Sequence, residues 1–366
     1  MSKRVKAEHG IVCRLPGERF GYFGWPSIAR MEDGTLVVAS SGLRTEHVCP
    51  YGKTVLNFSR DDGGTWSAPR VINDSPLDDR DAGVLCLGGR KLLVSWFTSD
   101  TRRYFGWIKP HLKAEDLALW EHTLGKWTDE LVERWLGSWV LLSEDAENWG
   151  QPIRVPVSTP HGPIRLSSGE LLYLGKGGFN AGDQANGDIM ACRSKDGGRT
   201  WEELGCVPLC EGTRKDNYHE PHVVELGDGR LLGLIRFQYS KENAPATEQI
   251  CFSLFQTESE DGGRTWTRAR PLGVYGSPPH LSKHSSGAVV CVYGYRRAPY
   301  GQRAMITRDG GRTWDTDWVL RDDGPDGDLG YPASVELPDG SIFTIYYQKY
   351  AAGEKCSLLW TRWRLP

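Results

Sequence analysis

The chain has 366 residues, a formal net charge of −3 and a charged fraction of 25%, which excludes an electrostatic footprint for nucleic acid or an anionic membrane surface. No run of about 18 apolar residues occurs, so no transmembrane helix is expected. Nor do the basic residues of Met1–His9 lead into the apolar stretch of a secretory signal. The nine cysteines lie singly within apolar runs, as at Cys86, Cys192, Cys251 and Cys291, which favours reduced, buried thiols and a cytoplasmic setting. Cys206 and Cys210 form one pair without a second, too little for a metal site.

In chain order, Val5–Leu15 alternates as a strand but has no unit of its own. Pro26–Ser40 then reads as apolar strand, turn at Asp33-Gly34 and apolar strand, the grammar of a β-hairpin. Ser59-Arg60-Asp61-Asp62-Gly63-Gly64-Thr65-Trp66 follows. Hairpins return at Val84–Phe97, Pro163–Leu174, Pro221–Arg236, Pro279–Tyr293 and Tyr331–Tyr347. The Trp-ended box returns at Ser194–Trp201, Ser259–Trp266 and Thr307–Trp314, and in decayed form at Ser143–Trp149. The last hairpin is followed instead by a strand-like run, Cys356–Trp363. Between the second hairpin and its decayed box, Leu117, Trp120, Leu124, Trp127, Leu131 and Trp135 recur at helical spacing, which predicts a helical insertion over about 111–136. Such a tryptophan stripe is expected to pack beside the pocket or at an oligomer contact.

The box explains itself locally. Its Asp accepts backbone N–H groups, its glycines supply the positive φ of a tight turn, and its Trp covers a neighbouring sheet. It is a structural corner and no catalyst, and D-x-D-G here lacks the Glu at the twelfth position of a calcium loop. Units repeating at intervals of roughly 50 to 80 residues mean a repeat architecture. Six four-stranded units predict an all-β fold, a six-bladed β-propeller formed by residues 1–366 as one domain, with residues 1–15 closing the ring on the last blade.

In a propeller the inner strands converge on one mouth. Their openings here are Gly24-Trp25-Pro26, Asp79-Arg80-Asp81, His161-Gly162-Pro163, Tyr218-His219-Glu220-Pro221-His222, Ser277-Pro278-Pro279-His280 and Leu329-Gly330-Tyr331-Pro332. Polar groups gathered where six strands meet are costly to bury without partners, which points to a site.

The boxes and hairpins, with Glu220, Arg236, Arg296 and Tyr331, resemble the sialidase (neuraminidase) superfamily over nearly the whole chain. The resemblance implies Tyr331 as nucleophile, Glu220 as the carboxylate that takes its proton, and Arg236 with Arg296 or Arg297 as a clamp for a substrate carboxylate. A phenol needs such help, since its ordinary pKa is about 10. The match departs at Trp25, where the family has an arginine; Trp25 would offer an apolar face to a sugar ring, with Arg44 or Arg80 supplying the missing cation. The family's acid/base aspartate is absent from Ser41–His47, which offers Glu46 and His47, and Asp81 is the other acid candidate.

His161, His222 and His280 are placed to meet over the channel, as donors to sugar hydroxyls, as a general acid or as ligands of a divalent metal, while His219 points the other way along its strand. Three readings stand. The first is an exo-acting glycoside hydrolase for an acidic sugar that needs no cofactor. The second is a uronate-processing lyase or metal-assisted sugar enzyme on the same fold. The third is a non-catalytic glycan-binding propeller.

Overall fold

Each of the six sequence hairpins forms the inner two strands of an antiparallel sheet in the computed structural model, which describes residues 3–366. Blade 1 runs through Tyr22–Arg30, Leu36–Arg44, Lys53–Ser59 and Arg70–Asn73. Blade 2 opens at Asp78–Gly88, blade 3 at Ile164–Arg165, blade 4 at Tyr218–Glu225, blade 5 at Pro279–Lys283 and blade 6 at Gly330–Glu336. The outer strand of blade 6 is Ala7–Cys13, antiparallel to Cys356–Trp363. Lys3–Arg4 adds a short parallel strand to the outer edge of blade 5. Pairing the two chain ends leaves blade 6 with a full set of four strands.

The boxes sit where the third strand of a blade turns into the fourth, on the underside. In the first, Asp61 Oδ1 accepts from Ser59 Oγ and the Thr65 amide, both at 2.8 Å, while Oδ2 takes the Thr65 hydroxyl at 2.7 Å. These bonds hold the Asp61 carboxyl down to about 2. The Trp66 indole donates to the Gly63 carbonyl at 3.2 Å and packs on Phe343 of the preceding blade in the ring. Gly63 has φ +90°, and a Cβ there would lie 2.4 Å from the Phe343 ring. Only glycine meets both demands. The decayed box survives because Asn148 replaces the threonine, donating to Asp145 through its amide at 2.7 Å and its side chain at 2.8 Å.

The insertion in blade 2 leaves the mouth end of Lys91–Ser99 and holds three helices: α1 (Arg102–Ile108), α2 (Ala114–Leu124) and α3 (Asp129–Trp135). It therefore begins earlier than the periodicity predicts. Helix α1 gives no apolar stripe because it buries only Ile108 and leaves Trp107 71% exposed. The stripe on α2 and α3 packs inward: Trp120, Leu124, Trp127 and Val132 join Cys49 and Leu77 in one cluster. The insertion thus backs onto the loop that links the second and third strands of blade 1. Among the described residues no helix is long and apolar enough to cross a membrane.

Candidate active site

One backbone device recurs around the mouth. Trp25, Asp81, Glu220 and Tyr331 have φ of +51°, +52°, +42° and +50°, and beside each the inner strand slips register against its neighbour. Each is a bulge residue in left-handed conformation, an arrangement that costs about 1–3 kcal/mol where the residue is not glycine. Gly162, with φ +74°, holds the same place in blade 3 without that cost. In these four blades the bulge sets one side chain at the mouth, so the identity of that residue sets the chemistry there.

Glu220 and Tyr331 meet there. The Tyr331 hydroxyl donates to Glu220 Oε1 at 2.6 Å, and Arg236 Nη1 reaches Glu220 Oε2 at 2.5 Å and the Tyr331 oxygen at 3.0 Å. Burial alone would raise the Glu220 carboxyl, but the Arg236 charge and the hydrogen bond from Tyr331 outweigh it and hold it below the ordinary range. Burial and the Glu220 charge push the Tyr331 phenol well above 10, while Arg236 pulls it back. At neutral pH the resting pair is therefore a phenol donating to a carboxylate, with a guanidinium placed to stabilise a phenolate.

Asp81 is 5% exposed and its Oδ1 is buried without a partner. Burial drives its carboxyl up to about 7, aided by the Glu220 charge and opposed by Arg80. Arg296 donates to the Leu329 carbonyl at 3.0 Å and the Tyr347 hydroxyl at 3.4 Å. Among the described residues it has no carboxylate partner, so part of its fork stays free. Arg236 and Arg296 both lie over Phe252, at 5.1 and 5.0 Å from the ring centroid. That residue carries no sequence signal, since a lone Phe between an irregular loop and a strand is not distinctive.

Three expectations need correction. Trp25 is 1% exposed; Arg80 at 4.2 Å and Arg44 at 4.9 Å cover its ring, and Tyr22, His47, Tyr331 and Tyr347 surround it. It is a buried wall and offers no face to a sugar. Arg44 is fully buried against Asp78 at 2.5 Å and spends its remaining donors on Ser41 and the carbonyls of Glu46 and His47. It has no hand for a substrate. Arg80 lies flat on Trp25, with Nη1 bonded to the His47 carbonyl at 3.3 Å and 3.5 Å from Asp78.

The third correction concerns the histidines. His161, His222 and His280 do meet, with ring centroids 4.5 to 5.5 Å apart, but they are 3%, 5% and 7% exposed. His222 Nδ1 accepts from the Leu281 amide at 3.0 Å and His280 Nδ1 from the Ser334 amide at 3.3 Å. Each stitches its blade to the next, and burial keeps all three rings neutral. Bonded and stacked in this way, His222 and His280 do not turn lone pairs toward one point. Among the described residues no group of His, Cys, Asp and Glu has the arrangement of a metal site. His219 does point away from His222: it lies beside Lys176 and Arg236, and burial with their charges lowers it to about 4. Lys176, lowered to about 8 by burial, is anchored on the carbonyls of Tyr218 and Lys215 at 2.6 and 3.0 Å.

A ring of six four-stranded blades with Asp boxes beneath and a Tyr–Glu–Arg cluster at the mouth defines a sialidase-like propeller. The chain belongs to the BNR repeat-like domain family, whose profile matches residues 113–344. Among solved structures it is similar to a protein of unknown function from Dyadobacter fermentans, with 22% identity, TM-score 0.76 and 99% of each chain covered. It also resembles the Trypanosoma rangeli sialidase in complex with the inhibitor DANA (15% identity, TM-score 0.61), covering 97% of this chain but 59% of that one. A third likeness is to an α-L-arabinofuranosidase of Fusarium graminearum (12% identity, TM-score 0.61, 98% of each chain). At these identities the likeness is one of fold. No curated protein matches by sequence.

Proposed function

We propose that the protein is an exo-acting glycoside hydrolase for an acidic sugar, with Tyr331 as nucleophile. The observation that carries this reading is the 2.6 Å bond from the Tyr331 hydroxyl to Glu220, with Arg236 on both partners. As the phenol oxygen attacks the anomeric carbon, Glu220 takes its proton and Arg236 offsets the charge that builds on oxygen. An anionic substrate suits a neutral nucleophile, which it does not repel, and Arg296 has donors free for it. Asp81 lies in the wall beside this pair, where burial and the Glu220 charge favour its protonated form. Solved neighbours that include sialidases and an arabinofuranosidase are compatible with this chemistry.

The test is release of free sugar from 4-nitrophenyl glycosides of N-acetylneuraminic and glucuronic acids. Tyr331→Phe is expected to lower kcat by about 10³-fold or more with thermal stability unchanged. Ultraviolet absorbance of an unsaturated uronate in the product would replace hydrolysis by elimination. Saturable binding without turnover would make the mouth a glycan-binding site.

A further inference from the structure

The strand Gly330–Glu336 is preceded by a turn that carries Asp328, and the loop after Leu36–Arg44 carries His47. The two side chains are 281 positions apart in sequence and meet at the mouth, with His47 Nδ1 2.8 Å from Asp328 Oδ1. The Tyr22 hydroxyl donates to the same carboxylate at 3.1 Å and lies 3.0 Å from Nδ1. With its proton committed to Asp328, the Tyr22 oxygen faces Nδ1 as a second acceptor. The network therefore assigns the proton to Nδ1 and leaves Nε2 free. Among the described residues Nε2 has no hydrogen-bond partner, and the His47 side chain is 44% exposed.

We infer that His47, oriented by Asp328 and Tyr22, is the general acid and base of the mouth. The inference rests on the hydrolase reading above and supplies the proton path that Tyr331 and Glu220 lack. Its first support is position. Both groups pack on the Trp25 indole, whose ring centroid is 4.9 Å from that of His47 and 6.4 Å from that of Tyr331. Nucleophile and imidazole thus share one rigid support.

Accessibility gives the second support. Asp81 is sealed in the wall with an unbonded oxygen, and Glu220 is committed to Tyr331 and Arg236. His47 keeps an open nitrogen. Preorganisation gives the third. The His47 carbonyl accepts from Arg44 at 3.1 Å and from Arg80 at 3.3 Å. The following residues are gripped by the insertion, through Cys49 in its apolar cluster and Tyr51 bonded to Thr123 at 3.2 Å. An acid on a loop needs such bracing to hold its geometry.

In the first step the Tyr331 oxygen forms a bond to the anomeric carbon, and its proton passes to Glu220. The bond to the leaving oxygen breaks, and that oxygen takes the Nε2 proton of the His47 imidazolium. In the second step water adds to the anomeric carbon, giving a proton to Nε2. The Tyr331–carbon bond breaks, and the phenolate recovers its proton from Glu220. The sum is glycoside plus water giving sugar plus alcohol.

The groups facing His47 are Asp328 and Tyr22, Arg80 from blade 2 and Arg296 from blade 5. Burial and the two guanidiniums pull the imidazole down, Asp328 pulls it up, and the net direction is downward. Activity that needs the imidazolium is therefore lost as pH rises through a value below about 6.5, the ordinary histidine pKa.

The experiment compares a 2,4-dinitrophenyl with a methyl glycoside of the same acidic sugar, across pH, for the wild type, His47→Ala and His47→Gln. The first leaving group departs without a proton and the second does not. Expected is a fall in kcat/KM of about 10²–10⁴-fold on the methyl glycoside with far less on the dinitrophenyl one. Azide should restore turnover of the dinitrophenyl substrate, and the alkaline limb should vanish from the methyl glycoside profile. Asp328→Asn should give a smaller loss with the same leaving-group dependence. Equal losses on both substrates in both His47 variants, or no loss, would overturn the inference while leaving Tyr331 as nucleophile. A wild type that hydrolyses neither substrate overturns the hydrolase reading itself.

Discussion

The two ends of the propeller use repetition in opposite ways. On the underside, four boxes repeat the same aspartate, glycine and tryptophan, and the fifth satisfies its aspartate through Asn148. At the mouth, four blades repeat a backbone geometry but fill it with Trp25, Asp81, Glu220 and Tyr331. Underneath, identity is fixed because each box must meet the neighbouring blade in the same way. Above, the bulge places a side chain at the mouth without dictating which one. The fold therefore keeps its stability and its chemistry on separate faces, as befits a scaffold that hosts many activities.

That separation can be broken at Trp25, a mouth residue built like a core residue. Trp25→Ala is expected to cost about 3–5 kcal/mol in urea unfolding, together with loss of turnover, because Arg44 and Arg80 lose their shared cover. A variant that kept its stability and lost only substrate affinity would return Trp25 to the role of a sugar platform. Gly63→Ala sharpens the comparison from the underside. Its φ and the Phe343 ring both oppose a Cβ, so a loss of about 2–3 kcal/mol is expected with kcat unchanged in the folded fraction.

The smallest effect runs the other way. The folded Asp81 carboxyl sits at about 7 against an ordinary 3.8, so the folded state holds its proton more tightly than the unfolded chain. The associated stability is present below pH 4 and lost as pH rises toward 7 and beyond. Asp81→Asn removes that loss and should stabilise the protein at pH 8 by roughly 1–3 kcal/mol, with no gain at pH 4. Unfolding at the two pH values checks the sign, and turnover should fall in the same variant.

Much of the ring was legible because turns and boxes are local. Each hairpin announces itself within about 15 residues by Gly at its turn, and the count of hairpins is the count of blades. Glu220 and Tyr331 were also legible, since both stand at inner-strand openings and carry the resemblance to sialidases. What stayed hidden was burial and partnership across the ring. Nothing near Arg44 says that Asp78 will consume it, and nothing near Trp25 says that two guanidiniums will cover it. His222 and His280 sit at the expected openings, but only the neighbouring blades' amides reveal them as fasteners. His47 stood with Glu46 in the loop where the resemblance looks for an acid, but Asp328 is an ordinary loop residue until blades 1 and 6 stand side by side.

The pairing of Ala7–Cys13 with Cys356–Trp363 has a temporal meaning for a chain made from one end. The blade that carries Tyr331 takes its outer strand from residues 7–13 and pairs it with residues 356–363, so the outer strand is made long before its neighbour. Five blades can be in place while the first strand still waits for a partner. The loops that carry His47 and Asp328 stand side by side only once that blade has formed, so the mouth depends on pairing between segments far apart in the chain.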